Sequence, residues 1–168
     1  MERGDAISKD VRLHLRIEPV SKSEHLSFNL SDFRFFNSSE DGSAMPFGNS
    51  KLLTLIITVP YILSCEAIFF RKNRYFVKFR NRVAGVLVLH QMSEALYISS
   101  LAVAPELRRF GVASFILNFT ERVAKNLNKE CLELSVLKKN LPARRLYSKF
   151  GFSLKKERKR TFVLARKV

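Results

Sequence analysis

The stretch Arg108-Arg109-Phe110-Gly111-Val112-Ala113 carries the residue types most suited to chemistry in this chain. It follows an apolar, strand-like run and opens a helix-like one. A turn with Gly at its centre, entering a helix N-terminus, points several backbone N–H groups one way. Those orphan amides and the positive end of the helix dipole favour an anion, and a pyrophosphate fits the geometry. Arg108 and Arg109 add mobile positive charge at the entrance. Taken alone, six such residues also describe an ordinary helix start on a basic surface, so the neighbouring elements decide between the readings.

Those elements are legible from apolar spacing. Leu13, Leu15 and Ile17 alternate with His14 and Arg16, a half-buried strand that Pro19 ends. Ser21-Lys22-Ser23-Glu24 has the form of a capping box and predicts a helix from about Lys22, with Leu26, Leu30 and Phe33 at helical spacing. Residues 37–50 are rich in Ser, Asn, Gly and Asp and read as a long polar loop. Pro60 suits the first turn of a helix over Tyr61 to Phe70, with Thr58 as its cap. Tyr75, Val77 and Phe79 form a strand, Asn81-Arg82 a turn, and Val83 to His90 a second strand. Leu96 to Val103 is a third strand, broken by Pro105 just before the glycine turn. Phe115, Ile116, Phe119, Val123 and Leu127 recur at helical spacing. Leu132, Leu134 and Val136 alternate with Glu133 and Ser135, a fourth strand. Ala143, Leu146, Tyr147 and Phe150 suit a short helix that stops at Gly151, and Phe162 to Ala165 reads as a last strand. The strand–helix–strand portion implies a right-handed parallel crossover, with a ligand at the carboxyl end of the strand that precedes the glycine turn.

Composition bounds the classes. A chain of 168 residues, 46% of them hydrophobic and 15 of them Phe, reads as one domain with a proper core. Cys65 and Cys131 are far apart and read as small buried hydrophobes in a reducing compartment. His14, His25 and His90 are not clustered, so no metal site is expected. The first residues, Met1-Glu2-Arg3-Gly4-Asp5, lack the apolar core of a secretion signal. Leu52 to Leu63, with Thr54, Thr58 and Pro60 inside it, is too short to span a bilayer. The expectation is a cytoplasmic protein with no membrane partner, either monomer or homodimer. The net charge of +15 attracts polyanions, implies weak, non-specific nucleic acid binding, and argues against a polycationic substrate.

Two motifs resemble the GNAT N-acetyltransferase superfamily. Leu101-Ala102-Val103-Ala104-Pro105-Glu106-Leu107-Arg108-Arg109-Phe110-Gly111-Val112-Ala113 is similar to the family's strand and R/Q-x-x-G-x-G/A loop. Asn140-Leu141-Pro142-Ala143-Arg144-Arg145-Leu146-Tyr147-Ser148-Lys149-Phe150-Gly151-Phe152 is similar to its N-x-x-A-x-x-L-Y-x-K-x-G-F helix. The separation fits one helix plus one strand, and the resemblance spans roughly Val83 to Phe152. It implies an α/β fold of GNAT type: a mixed, mostly antiparallel twisted sheet with a central splayed pair of parallel strands, flanked by helices. It implies acetyl-CoA as the donor and an amine as the acceptor, either a protein N-terminus or lysine or a small amine, acetylated by direct attack. Arg108, Arg109, Phe110, Gly111, Val112 and Ala113 would then hold the pyrophosphate. The backbone of Leu101, Ala102 and Val103 would pair with the pantetheine arm. Asn140 would hydrogen-bond that arm, cap its helix, or do both. Tyr147 would protonate the leaving thiolate, or else be a packed ring with its hydroxyl at the surface.

The general base stays open among Ser99, Ser100, Ser135, Glu94, Glu133 and His90, with a water chain as another route. Ser135 falls where peptide-modifying members of the family often carry Glu. Two basic runs remain outside the motifs. One is Arg71-Lys72-Asn73-Arg74 with Lys78, Arg80 and Arg82, interleaved with Tyr75, Phe76 and Phe79. The other is Lys155-Lys156-Glu157-Arg158-Lys159-Arg160. They suit solvated faces, nucleic acid, the ribosome or an acidic protein partner. A GNAT-like module that binds RNA or an acidic partner without catalysis is the reading from another class.

Overall fold

Apolar alternation becomes strands in the computed structural model, which describes residues 13–20, 73–80 and 82–168. The strands are β1 (Leu15–Pro19), β2 (Arg74–Phe79), β3 (Arg82–Gln91), β4 (Ala95–Val103), β5 (Cys131–Leu137), β6 (Ser153–Glu157) and β7 (Thr161–Lys167). Among the described residues two α-helices interrupt them, α1 (Val112–Asn126) and α2 (Leu141–Lys149). The seven strands make one sheet in the order β1-β2-β3-β4-β5-β7-β6. The β4–β5 pair is parallel, whereas β1–β2, β5–β7 and β6–β7 are antiparallel. This is the mixed sheet with a central parallel pair that the resemblance implies. No helix among the described residues is long and apolar enough to cross a membrane.

The chain divides into two units. One comprises residues 1–86 and 102–112, the other residues 87–101 and 113–168. In the first, β1 and β2 pair from Leu15 opposite Phe79 to Pro19 opposite Tyr75. Phe76 and Val77 are adjacent and both buried, so β2 is covered on both faces. The aromatics of the first basic run therefore turn inward: Phe76 is buried and Tyr75 and Phe79 are half-buried. The Ala104 N–H donates to the Ala84 carbonyl at 2.9 Å, anchoring the chain where it leaves β4.

In the second unit, α1 buries Ile116, Leu117, Thr120 and Ala124, a stripe at helical spacing. Phe115, Phe119 and Val123 are only half-buried, and Leu127 lies exposed beyond the helix end. Thr120 sits in that apolar stripe at no polar cost because its Oγ1 donates to the Ile116 carbonyl at 2.9 Å. Glu121 joins α1 to β7 through Arg166 Nη2 at 3.0 Å and pairs with Lys125 one turn on, also at 3.0 Å. The hydrogen bond from Lys125, more than any other contact, holds its carboxyl below the usual range. Leu132, Leu134 and Val136 of β5 are buried, and Ser135 is exposed, as the alternation predicts.

Glu133 departs from that alternation. It is only 9% exposed, because Lys155 of β6 forms an ion pair with its Oε1 and the Cys131 thiol lies 3.7 Å from the same oxygen. Cys131 itself is half-buried, not buried, and desolvation and then the Glu133 charge push its thiol pKa up. The strand that supplies Lys155 carries no apolar alternation. All five residues of β6 are exposed, and it exists as the edge partner of β7, with a register shift between Leu154 and Lys156. Half of the second basic run is thus a strand and the rest its turn. The helix read from Lys22, the polar loop at residues 37–50, the helix over Tyr61 to Phe70 and Cys65 lie outside the described residues.

Candidate active site

The parallel ladder stops short. It pairs Ala95 with Cys131 through to Ile98 with Leu134, yet β4 continues to Val103 and β5 to Leu137. The residues just past its end are Ser99 and Ser100 on β4 and Ser135 on β5. Beyond Leu134, β5 pairs on its other side with β7, Ser135 opposite Val163 and Leu137 opposite Thr161. A parallel pair that opens at its carboxyl end exposes backbone donors and acceptors to a ligand there. Among the described residues of this opening, Ser100 Oγ is buried and has no hydrogen-bond partner. A buried, unpaired hydroxyl costs about 1–3 kcal/mol and calls for an explanation. It is the kind of group that a bound chain of amides would satisfy.

In the first unit, the chain leaves β4 through a single 3-10 turn over Pro105–Leu107. Arg108 is extended, and its Nε donates to the Val103 carbonyl at 3.3 Å, tying the motif arginine back to the strand end. Arg109 then adopts φ +70° and Gly111 φ +84°, both left-handed. A turn of this kind at a helix start can present backbone N–H groups to an anion. Val112 opens α1 and is 1% exposed. Glycine is needed at position 111 because a side chain strains this φ, whereas the left-handed Arg109 gives no such signal in sequence.

In the second unit, α2 brings in the other two candidates. Asn140 caps it: its Oδ1 accepts from the Ala143 N–H at 3.2 Å. Capping uses the oxygen of that amide, and its NH₂ is a donor. The helix ends in a Schellman motif. The Gly151 N–H donates to the Ser148 carbonyl and the Phe152 N–H to the Tyr147 carbonyl, both at 3.0 Å, with Gly151 at φ +78°. That motif is commonly closed by an apolar contact between the residues at its two ends. Here the contact is Tyr147 on Phe152, edge to face, with centroids 5.7 Å apart. The helix stop thus orients the candidate acid. A Cβ at Gly151 would approach nothing closer than Arg166 Cδ and Nε, at 3.9 Å, so space is not the constraint. Gly151→Ala should therefore lower stability by about 1 kcal/mol through the backbone alone, read as a shifted urea midpoint with an unchanged slope.

Tyr147 is 8% exposed, and burial pushes its phenol up to about 12. The unfolded chain ionises a tyrosine near pH 10. The folded state thus holds a proton that the unfolded state gives up between about pH 10 and 12. Stability is unaffected below that window and falls by roughly 2–3 kcal/mol across it. Urea titrations of the wild type and Tyr147→Phe from pH 8 to 12 test this. The wild type should lose that increment relative to the variant only above about pH 10.

The remaining candidates fare differently. Glu133 is ion-paired with Lys155. Glu94 is exposed at the turn before β4, where its carbonyl accepts from the Glu130 N–H at 2.8 Å. Sequence spacing missed a cluster at the far end of β5. Arg144 donates from Nη1 to the Lys138 carbonyl at 2.9 Å, and its guanidinium lies 4.9 Å from the Phe162 ring centroid. Lys138 Nζ lies 5.2 Å from the same ring and pairs with Glu157. Arg144 and Phe162, eighteen positions apart, leave no linear signal.

The fold is a mixed sheet with a parallel β4–β5 pair and a glycine turn between β4 and α1. The chain matches the family model of the acetyltransferase (GNAT) family over residues 55–152 and belongs to that family. Among solved structures it is similar to the PaiA N-acetyltransferase from Thermoplasma acidophilum in complex with coenzyme A. That match has a TM-score of 0.71 and 14% identity, covering 92% of this chain and 99% of that one. It is similar to Ard1 from Thermoplasma volcanium (TM-score 0.68, 20% identity, covering 92% and 98%). It is also similar to Arabidopsis thaliana Naa50 in complex with the bisubstrate analogue CoA-Ac-MVNAL (TM-score 0.63, 17% identity, covering 91% and 98%). No curated protein matches the sequence. Membership makes the chain a GNAT-family acetyltransferase.

Proposed function

We propose that this chain is a cytoplasmic N-acetyltransferase that moves the acetyl group to an amine by direct attack. Acetyl-CoA supplies the activated thioester. The observation that carries the reading is the left-handed pair Arg109 and Gly111 set between the end of β4 and the start of α1. The amides from Arg109 to Ala113, with Arg108 beside them, would hold the pyrophosphate. The backbone of Leu101, Ala102 and Val103 would pair with the pantetheine, and the Asn140 NH₂ would donate to it.

Tyr147 would act at the sulfur. With a phenol pushed up to about 12, its Oη keeps its proton through neutral pH. A thiol ionises near 8.5, so complete transfer from this phenol runs uphill by roughly three pK units. Tyr147 would therefore serve mainly as a hydrogen-bond donor that stabilises charge developing on sulfur. A backbone N–H of the Leu101–Val103 segment would polarise the acetyl carbonyl, and the rest is positioning. Calorimetric titration of acetyl-CoA into the protein, with thiol release in the presence of peptide and small amines, tests the whole. Saturable binding and amine-dependent release are expected; no binding heat would sink the assignment.

A further inference from the structure

The far end of β5 carries a concentration of charge that the transfer reaction leaves unexplained. Residues 138–160 hold ten cationic side chains against one carboxylate, Glu157. Glu157 is already paired with Lys138. The fold gathers much of this charge at one place. The turn between β6 and β7 is Arg158-Lys159-Arg160, all exposed, closed by the Arg158 N–H on the Thr161 carbonyl at 2.9 Å. The Lys138 N–H donates to the Arg160 carbonyl at 3.0 Å, joining that turn to the one that follows β5. Lys139 and Arg145 are also exposed. Because Leu137 pairs with Thr161, this crown stands at the carboxyl end of β5, the end at which the β4–β5 ladder has opened.

We propose that the acceptor is the free α-amino terminus of a peptide whose following residues are acidic, drawn to the opening by Arg158, Lys159 and Arg160. The inference rests on the N-acetyltransferase reading above. Carboxylates spaced along an extended peptide complement cations on two adjoining turns, and complementarity of this kind sets specificity and encounter rate. The chemistry of the opening favours an α-amine over a lysine. Among the described residues, Ser99, Ser100 and Ser135 border it, and Glu133 is held by Lys155. An acceptor that sheds its own proton readily suits such a border. An α-amine ionises near 8 and a lysine near 10.4, so at neutral pH the neutral fraction of the first is about 10²-fold larger. The crown adds to this, since nearby positive charge disfavours a protonated amine. A nucleic acid fits less well, because no aromatic is among the exposed large hydrophobics of the described residues that could stack a base.

The test compares three acceptors of equal length by release of the CoA thiol. They are a free-amino peptide with Asp and Glu after the first residue, the same peptide with Lys there, and an N-terminally blocked acidic peptide with a single Lys. At low ionic strength kcat/KM for the acidic free-amino peptide should exceed that for the basic one by about tenfold or more, and the ratio should shrink as salt is added. The triple variant Arg158→Glu, Lys159→Glu, Arg160→Glu should reverse the preference, and the matching Gln variant should abolish it. Equal rates for acidic and basic peptides, or a preference that survives both variants, would overturn the acidic assignment. Faster turnover of the blocked peptide would overturn the α-amine assignment, and faster acetylation of duplex RNA than of any peptide would overturn both. Loss of acetyl-CoA binding by the wild type would instead refute the underlying enzyme reading.

Discussion

Tyr147→Phe should lower kcat by about 10²-fold or more while leaving acetyl-CoA affinity and the neutral-pH unfolding midpoint nearly unchanged. The variant keeps the ring. Its edge-to-face contact with Phe152 and the Schellman geometry that sets it survive, so the helix end should not move. What leaves is one hydroxyl whose raised pKa has burial as its cause. If Tyr147 were only a packed residue, Phe would be neutral or slightly stabilising, because a partly desolvated hydroxyl would be gone. Steady-state thiol release separates the outcomes: a fall in kcat with KM held marks an interaction that matters most in the transition state. Unchanged kcat would remove Tyr147 from the chemistry.

Gly111→Glu should weaken acetyl-CoA binding by at least about 10²-fold, measured by calorimetry. Two effects combine. A side chain at φ +84° strains the turn, for about 1–2 kcal/mol. A carboxylate at a helix N-terminus then occupies and repels the place where an anion would sit. Gly111→Ala keeps the strain without the charge and should cost about tenfold, so the pair of variants separates backbone from electrostatics. Wild-type affinity in the Glu variant would show that the pyrophosphate lies elsewhere.

Much of this architecture was legible because it obeys apolar spacing. β1, β4, α1, β5, α2 and β7 were read near their observed bounds from alternation, helical spacing and the stops at Pro19, Pro105 and Gly151. β6 was not, because Ser153-Leu154-Lys155-Lys156-Glu157 buries nothing and is a strand only through its bonds to β7. The same gap misled the reading of Glu133. Its place in the alternation marks it as solvent-facing, and the cation that encloses it comes from the unread strand. The glycine turn and Asn140-to-Phe152 motifs were visible as spacing; in the structure Gly111 has a positive φ and Asn140 caps its helix. The left-handed Arg109 and the cluster of Lys138, Arg144 and Phe162 were invisible, since neither a positive φ at arginine nor a tertiary contact has a linear signature.

The exposed edge of the sheet has a consequence for colloidal behaviour. A bare edge strand is a template on which another chain can add, and the growth of such pairs leads to fibrils. β6 presents that edge with Lys155 and Lys156 in its five residues and a shift of register in the middle. Both features spoil the flat, uncharged ribbon that an added strand requires. Lys155 does this while its ammonium is held by Glu133, so the ion pair that encloses a carboxylate also keeps a gatekeeper in place. The share of this protection that comes from the lysines fades with screening, so low ionic strength is the condition that best preserves it.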